Sequence, residues 1–236
     1  MGAAYIHEHP RACQWGALGA PWRRVHECIL GAIAPAPNYA TGHQWYGYFL
    51  AAGNQWDGAI REMEAAHRLD PLSHVITLSL AVFYDGADRF AEATPLYAQG
   101  LAQSPEAYYA WAAMTGHQLA LGKVEEAIAA FEKSRGWPHI DDAAVSRLAG
   151  GLRNPATRSA TIDAIGVENP VLAIAFFRWL RGDAATLGML EAAAAAGRST
   201  GSAMNTYMFL GPKLRADPRL LAVIARMGLP PQERER

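Results

Sequence analysis

Cysteine is scarce: Cys13 and Cys28 are the only two in 236 residues. They are too few for a disulfide framework and too far apart for a Cys-x-x-Cys site, which fits a reducing compartment and two small buried apolar residues. Surplus charge of one sign is also missing, because the formal net charge is −1 and the Lys and Arg residues are dispersed. Without a basic footprint to neutralise phosphates, nucleic acid is excluded as a partner of this chain alone. The sequence has no uninterrupted apolar run of about eighteen residues, and its start, MGAAYIHEHPRACQW, lacks a basic stretch followed by an apolar core. Ile6 stands where a myristoylation signal wants Ser or Thr. A cytoplasmic chain without membrane attachment is therefore expected. β-Branched residues are sparse and no convincing alternating strand occurs, which argues against a sheet protein.

What remains is 51% hydrophobic and 18% charged, too apolar for disorder. Alanine is abundant, and apolar residues mostly recur at three- and four-residue steps, so helix is favoured almost throughout.

Proline supplies the strongest regularity. Pro37, Pro71 and Pro105 are spaced by 34 residues, and Pro138 follows 33 further on. Aligned on them, Gly47, Ala81 and Thr115 share one position, Ala59, Ala93 and Ala127 a second, and Met63, Tyr97 and Phe131 a third. Small residues let two helices approach, and large ones fill the gap between hairpins. With Ala66, Gly100 and Ser134 at a further small position, and with Tyr84, Trp111 and Gly122, this pattern resembles the tetratricopeptide repeat. Thr115 is a small departure, and Pro95 removes one donor inside its helix.

The resemblance implies an all-α, right-handed α-solenoid forming a single domain over residues 1–236. Within it, residues 1–39 are a degenerate hairpin, 40–138 three clear repeats, 139–230 degenerate hairpins with a capping helix, and 231–236 a polar tail. DDAAVSRLAGGL and NPATRSATIDAIG form a weak pair split at Asn154 and Pro155, and a clearer pair turns at Gly182 and Asp183. The cap begins at Asp217 with Pro218 in the first helical position. More narrowly, PNYATGHQWYG, HRLDPLS and LRADPRLLAVIARMGLP are similar to the C-terminal repeats of bacterial winged-helix regulators and adenylate-cyclase-like signalling proteins. Residues 1–236 show no effector domain of that kind, so only the sensing or docking half is expected in them.

In stacked repeats of this family the first helix of each hairpin lines a concave face. The resemblance places Gln44, Tyr48 and Ala51 there, then Val75, Leu78, Val82 and Asp85, then Tyr109, Ala112, Gly116 and Leu119. Such an apolar, aromatic-edged groove suits a peptide or a partner helix. The alternatives are that another part of the chain fills it, the C-terminal segment foremost, or that a second copy does, giving a homo-oligomer. Gln44, Tyr48, Ser79, Tyr109 and Ala113 stand where a chaperone-tail clamp would need Lys and Asn, so that partner is not expected.

Motifs pointing to chemistry are few. GRSTG centres Ser199 in a G-x-S-x-G pattern, but an alanine-rich stretch precedes it where a nucleophile elbow needs a strand. GHQLALGK has five residues between its glycines, and Val124 where a phosphate loop needs Ser or Thr. His7, Glu8 and His9 sit at a terminus with no fixed geometry, and His43 and His117 read as satisfied partly buried residues. Glu62, Arg61, Glu125 and Glu126 read as solvated charges. No metal or cofactor is expected. The reading is a non-enzymatic binding scaffold in bacterial signalling or regulation; the rival is a hydrolase or small-molecule binder that uses Ser199 or the groove residues His43, Asp85 and His117.

Overall fold

Apolar spacing at three and four residues yields helices joined by short turns through the residues that the computed structural model describes: 36–135, 142–168, 170–197 and 209–226, with 27, 29–31 and 33. No strand occurs among the described residues. In chain order the helices are α1 (Ala40–Ala52), α2 (Trp56–Leu69), α3 (His74–Gly86), α4 (Phe90–Gln103), α5 (Tyr108–Ala120) and α6 (Val124–Lys133). They continue as α7 (Asp142–Arg153), α8 (Pro155–Glu168), α9 (Pro170–Arg181), α10 (Asp183–Ala195), the single turn α11 (Pro212–Arg215) and α12 (Pro218–Arg226).

The first three helix pairs turn in the same way. Asn54, Asp88 and Gly122, each 34 residues after the last, take left-handed backbone with φ of 62°, 59° and 74°. After each of them the next N–H reaches back to the preceding helix: Gln55 to Leu50 O at 2.8 Å, Arg89 to Tyr84 O at 2.8 Å and Lys123 to Gln118 O at 2.9 Å. These bonds satisfy carbonyls that a helix end leaves without a donor. The opposite ends stop at the prolines: Asp70 N bonds Ala66 O and Ser104 N bonds Gly100 O, just before Pro71 and Pro105. Ser73 then caps α3, its hydroxyl accepting from Ile76 N.

Within each pair the small residues sit at the crossing. Ala59, Ala93 and Ala127 have no exposed surface, and Met63, Tyr97 and Phe131 are fully buried beside them. A Cβ on Gly47 would lie 3.1 Å from Ala59 O, and one on Gly100 would strike the Leu78 side chain. Burying each large side chain contributes about 1.5–3 kcal/mol. Thr115 fits a small position because its buried hydroxyl bonds Trp111 O at 3.0 Å.

Each helix packs on the next from α1 to α10. The order then breaks, because α9 also packs against α5, and α12 against α10. Ile174, Leu187, Leu190, Leu210, Leu214, Leu220, Val223 and Ile224 thereby join one core with Phe49, Leu50, Trp56, Ile76 and Phe83. The C-terminal third is built into the first two hairpins rather than strung beyond them. Among the described residues no helix is long and apolar enough to cross a membrane.

Candidate functional site

The first helices of the three hairpins, α1, α3 and α5, share a face whose burial changes along their length. At the N-terminal ends of α3 and α5, Val75 and Tyr109 are exposed by 40% and 38%, and Trp45, midway along α1, is exposed by 44%. One turn on, Gln44, Leu78 and Ala112 are buried. Further along, Val82, Gly116 and Leu119 are buried, Tyr48 and Asp85 partly so. The residues assigned to one groove from the sequence therefore divide into an open edge and a covered floor.

The cover is the chain itself. A Cβ on Gly116 would meet the Phe209 ring at 3.4 Å and the Ala175 methyl at 3.5 Å. Leu119 belongs to the core of Phe176, Phe177 and Phe131. Leu78 is taken up by the hairpin partner α4 at Gly100. On α5 the expected groove face at Gly116 and Leu119 is thus covered by Ala175, Phe176, Phe177 and Phe209. Two arginines complete the attachment. Arg178 donates to Asp88 Oδ1 at 2.6 Å and to Phe209 O at 3.3 Å. Arg215 donates to Gly86 O at 2.6 Å and to Leu210 O, with its guanidinium 4.0 Å above the Trp56 ring.

Beneath this seam a pocket of about 20 Å³ is lined by Asp85, Phe90, His117, Arg178, Trp179 and Phe209 among others, room for one water. His117, 1% exposed, places Nδ1 2.7 Å from Asp85 Oδ1 and Nε2 3.1 Å from Thr94 Oγ1. Tyr97 donates to the other Asp85 oxygen at 2.8 Å. Burial pushes the Asp85 carboxyl above the usual carboxylate range, against the bond from His117, and burial beside Asp85 pushes the Tyr97 hydroxyl well up. Aspartate, histidine and threonine stand in the order of a charge relay, but Thr94 donates its hydrogen to Phe90 O at 2.8 Å. The array has the chemistry of a brace joining α3, α4 and α5.

His43 is not brought to this cluster. Its Nδ1 lies 2.7 Å from Glu62 Oε2 and its Nε2 2.8 Å from Pro37 O, so Glu62 is paired where the sequence reading made it a solvated charge. Glu125 likewise lies 3.7 Å from Arg158. Ser199, Cys13, Cys28 and the His7, Glu8 and His9 cluster lie outside the described residues. Among the described residues no group of three or more His, Cys, Asp or Glu side chains is arranged to hold a metal.

The open edge has its own geometry. Ser79 spends its hydrogen on Val75 O at 2.7 Å, so Tyr48 donates to Ser79 Oγ at 2.5 Å, and Gln44 Nε2 approaches the same oxygen at 3.4 Å. Burial raises the Tyr48 hydroxyl, with the Ser79 bond opposing; burial and the neighbouring Tyr48 and Tyr108 raise that of Tyr109. The Trp45 and Tyr48 rings lie 6.0 Å apart, and those of Tyr108 and Tyr109 5.9 Å. Trp45, Thr94, Arg178 and Arg215 were not singled out in the sequence. The one available signal was for Arg178, an arginine set between Phe177 and Trp179 that needs a partner once buried.

No family model matches the chain, and no curated protein does.

Proposed function

We propose that the chain is a right-handed α-solenoid of the tetratricopeptide kind, and that the open edge of α1, α3 and α5 docks an extended segment of a partner protein. The exposure of Val75, Tyr109 and Trp45 on adjoining first helices carries this reading. The partly exposed Val75 side chain and Tyr109 ring, near an uncharged Tyr48 and Ser79 pair, favour an apolar or aromatic anchor over a charged ligand. The 34-residue recurrence of left-handed turns at Asn54, Asp88 and Gly122 supports the repeat assignment. A place in bacterial signalling or regulation rests on the sequence resemblance.

The test is selection of a phage-displayed peptide library against the full chain. The expected peptides carry apolar, aromatic or proline anchors and lose at least tenfold in affinity to Val75→Glu or Tyr109→Ala. Leu121→Glu, at a 38% exposed residue just past the C-terminal end of α5, leaves them unchanged. Peptides indifferent to the first two substitutions, or no enrichment, would sink the proposal.

A further inference from the structure

We infer that Asp85 and His117 together hold one proton more than a carboxylate and a neutral imidazole do, and that this proton latches α3 to α5 beneath the C-terminal cover. The latch opens as pH rises.

The hydrogens can be counted around the cluster. Tyr97 gives its hydroxyl hydrogen to Asp85 Oδ2 at 2.8 Å, and Thr94 gives its own to Phe90 O at 2.8 Å. The 3.1 Å contact between Thr94 Oγ1 and His117 Nε2 is then a hydrogen bond only if Nε2 carries the hydrogen. The 2.7 Å contact between His117 Nδ1 and Asp85 Oδ1 needs a second one. A carboxylate facing a neutral imidazole supplies one hydrogen between them. The pair therefore holds the extra proton, as aspartic acid with imidazole or as carboxylate with imidazolium, and titrates as one unit.

Losing that proton disturbs both the brace and the cover. Nδ1 keeps the remaining hydrogen for Asp85, and Nε2 faces Thr94 Oγ1 lone pair to lone pair until the hydroxyl turns away from Phe90 O. A net negative charge then rests on side chains only 14% and 1% exposed, which is costly without a partner. The charged and titratable groups facing Asp85 are His117 from α5, Tyr97 from α4 and Arg178 from α9. Arg178 is already committed to Asp88 at 2.6 Å and to Phe209 O at 3.3 Å, while Arg89 and Glu92, at the start of α4, pair with each other in the open. The new charge therefore pulls on the arginine that anchors the cover. Thr94 is exposed, so the proton has a way to water at Nε2 although His117 is buried. Burial raises the Asp85 carboxyl, which gives the same sign: the contribution is present at low pH and lost as pH rises.

The test is nitrogen-15 NMR of the full chain, labelled at histidine and tryptophan, across the pH range in which it stays folded. His117 is assigned through the Tyr97 ring, 4.8 Å away, and the Trp179 indole through the Phe90 ring at 5.6 Å. Nε2 is expected to bear a hydrogen at the acid end and to lose it in one step as pH rises. The Trp179 indole signal should move in the same step, because that ring lines the pocket against Arg178. Asp85→Asn is expected to hold the latch shut: its amide donates to Nδ1 and its carbonyl accepts from Tyr97, so Nε2 keeps its hydrogen and both steps vanish. An Nε2 that is bare throughout would overturn the inference, by giving the Thr94 hydrogen to the imidazole. So would an Nε2 hydrogen kept until the chain unfolds, a step at Nε2 that leaves Trp179 unmoved, a step that survives in Asp85→Asn, or an Asp85→Asn chain that does not fold.

Discussion

Arg178 and Asp88, ninety residues apart in the chain, meet at 2.6 Å, and Gly211 lies against the pair. Asp88 is the left-handed turn residue of the second hairpin, and Arg178 rises from α9 with its side chain 8% exposed. That ion pair ties the C-terminal helices to the turn between α3 and α4. It also has a steric condition, since any Cβ at Gly211 would overlap the guanidinium.

Gly211→Ala is accordingly expected to destabilise although its φ of −64° is ordinary for any residue. Arg178→Ala should cost about 1–3 kcal/mol, as a charge-assisted bond is lost while the half-exposed Asp88 regains water. The two should be strongly non-additive, because Gly211→Ala in an Arg178→Ala background meets no guanidinium. Urea unfolding midpoints of the two single variants and the double variant give the coupling directly. Additive costs would mean that Gly211 matters for another reason.

Asp85 gives a pH dependence of definite sign. Its carboxyl is raised by burial, so the folded state holds the proton more tightly than the unfolded one. The stability this contributes is complete below the ordinary aspartate value of about 3.9 and is lost as pH rises through the raised value. Asp85→Asn cannot titrate. Its stability relative to the unaltered chain should therefore improve between about pH 4 and the end of that rise, then level off. A difference curve that is flat, or slopes the other way, would contradict the burial argument.

The left-handed turns should be separable from the packing. Gly122 has φ of 74° with open space around any Cβ, so Gly122→Ala should cost about 1–2 kcal/mol from backbone strain alone. Asn54→Gly, at the equivalent turn with φ of 62°, should be neutral or slightly stabilising. Thermal unfolding of both variants checks this, and equal losses would show that side-chain bonds at these turns outweigh the strain.

Small positions at the helix crossings should refuse bulk. Ala127 is fully buried beside Ile128 and Phe131, so Ala127→Leu should cost about 1–3 kcal/mol through overpacking. Thr115→Ala, which removes a hydroxyl bonded only within its own helix, should stay within about 1 kcal/mol. Chemical denaturation distinguishes the two; similar costs would mean that the crossing at Ala127 has slack.

Helix, turn and crossing were legible in the sequence because each depends on residues close in the chain. Apolar spacing, the prolines at 34-residue intervals and the run of alanine and glycine at the crossings are local signals, and the helices begin and end beside them. Even the late elements were visible this way: Gly182 turns with φ of 86°, and Asp217 accepts from Arg219 N at the start of α12. The candidate site was legible only in part. Gln44, Leu78, Val82, Ala112, Gly116 and Leu119 all lie on the first helices and are buried, but whether such a face is open depends on α9 and residues 209–215, far along the chain.

That distant contact has no sequence period to announce it. Ile174 and Leu210 are apolar wherever they end up, and only the turn-by-turn path of the intervening helices brings them over Phe49 and Phe83. The sequence by itself determined an all-helical chain with a repeating hairpin, because backbone hydrogen bonding and side-chain spacing act over a few residues. Tertiary structure alone decided that the floor of the expected groove is core and its rim at Val75 and Tyr109 is surface, because burial is settled by what returns to cover a face.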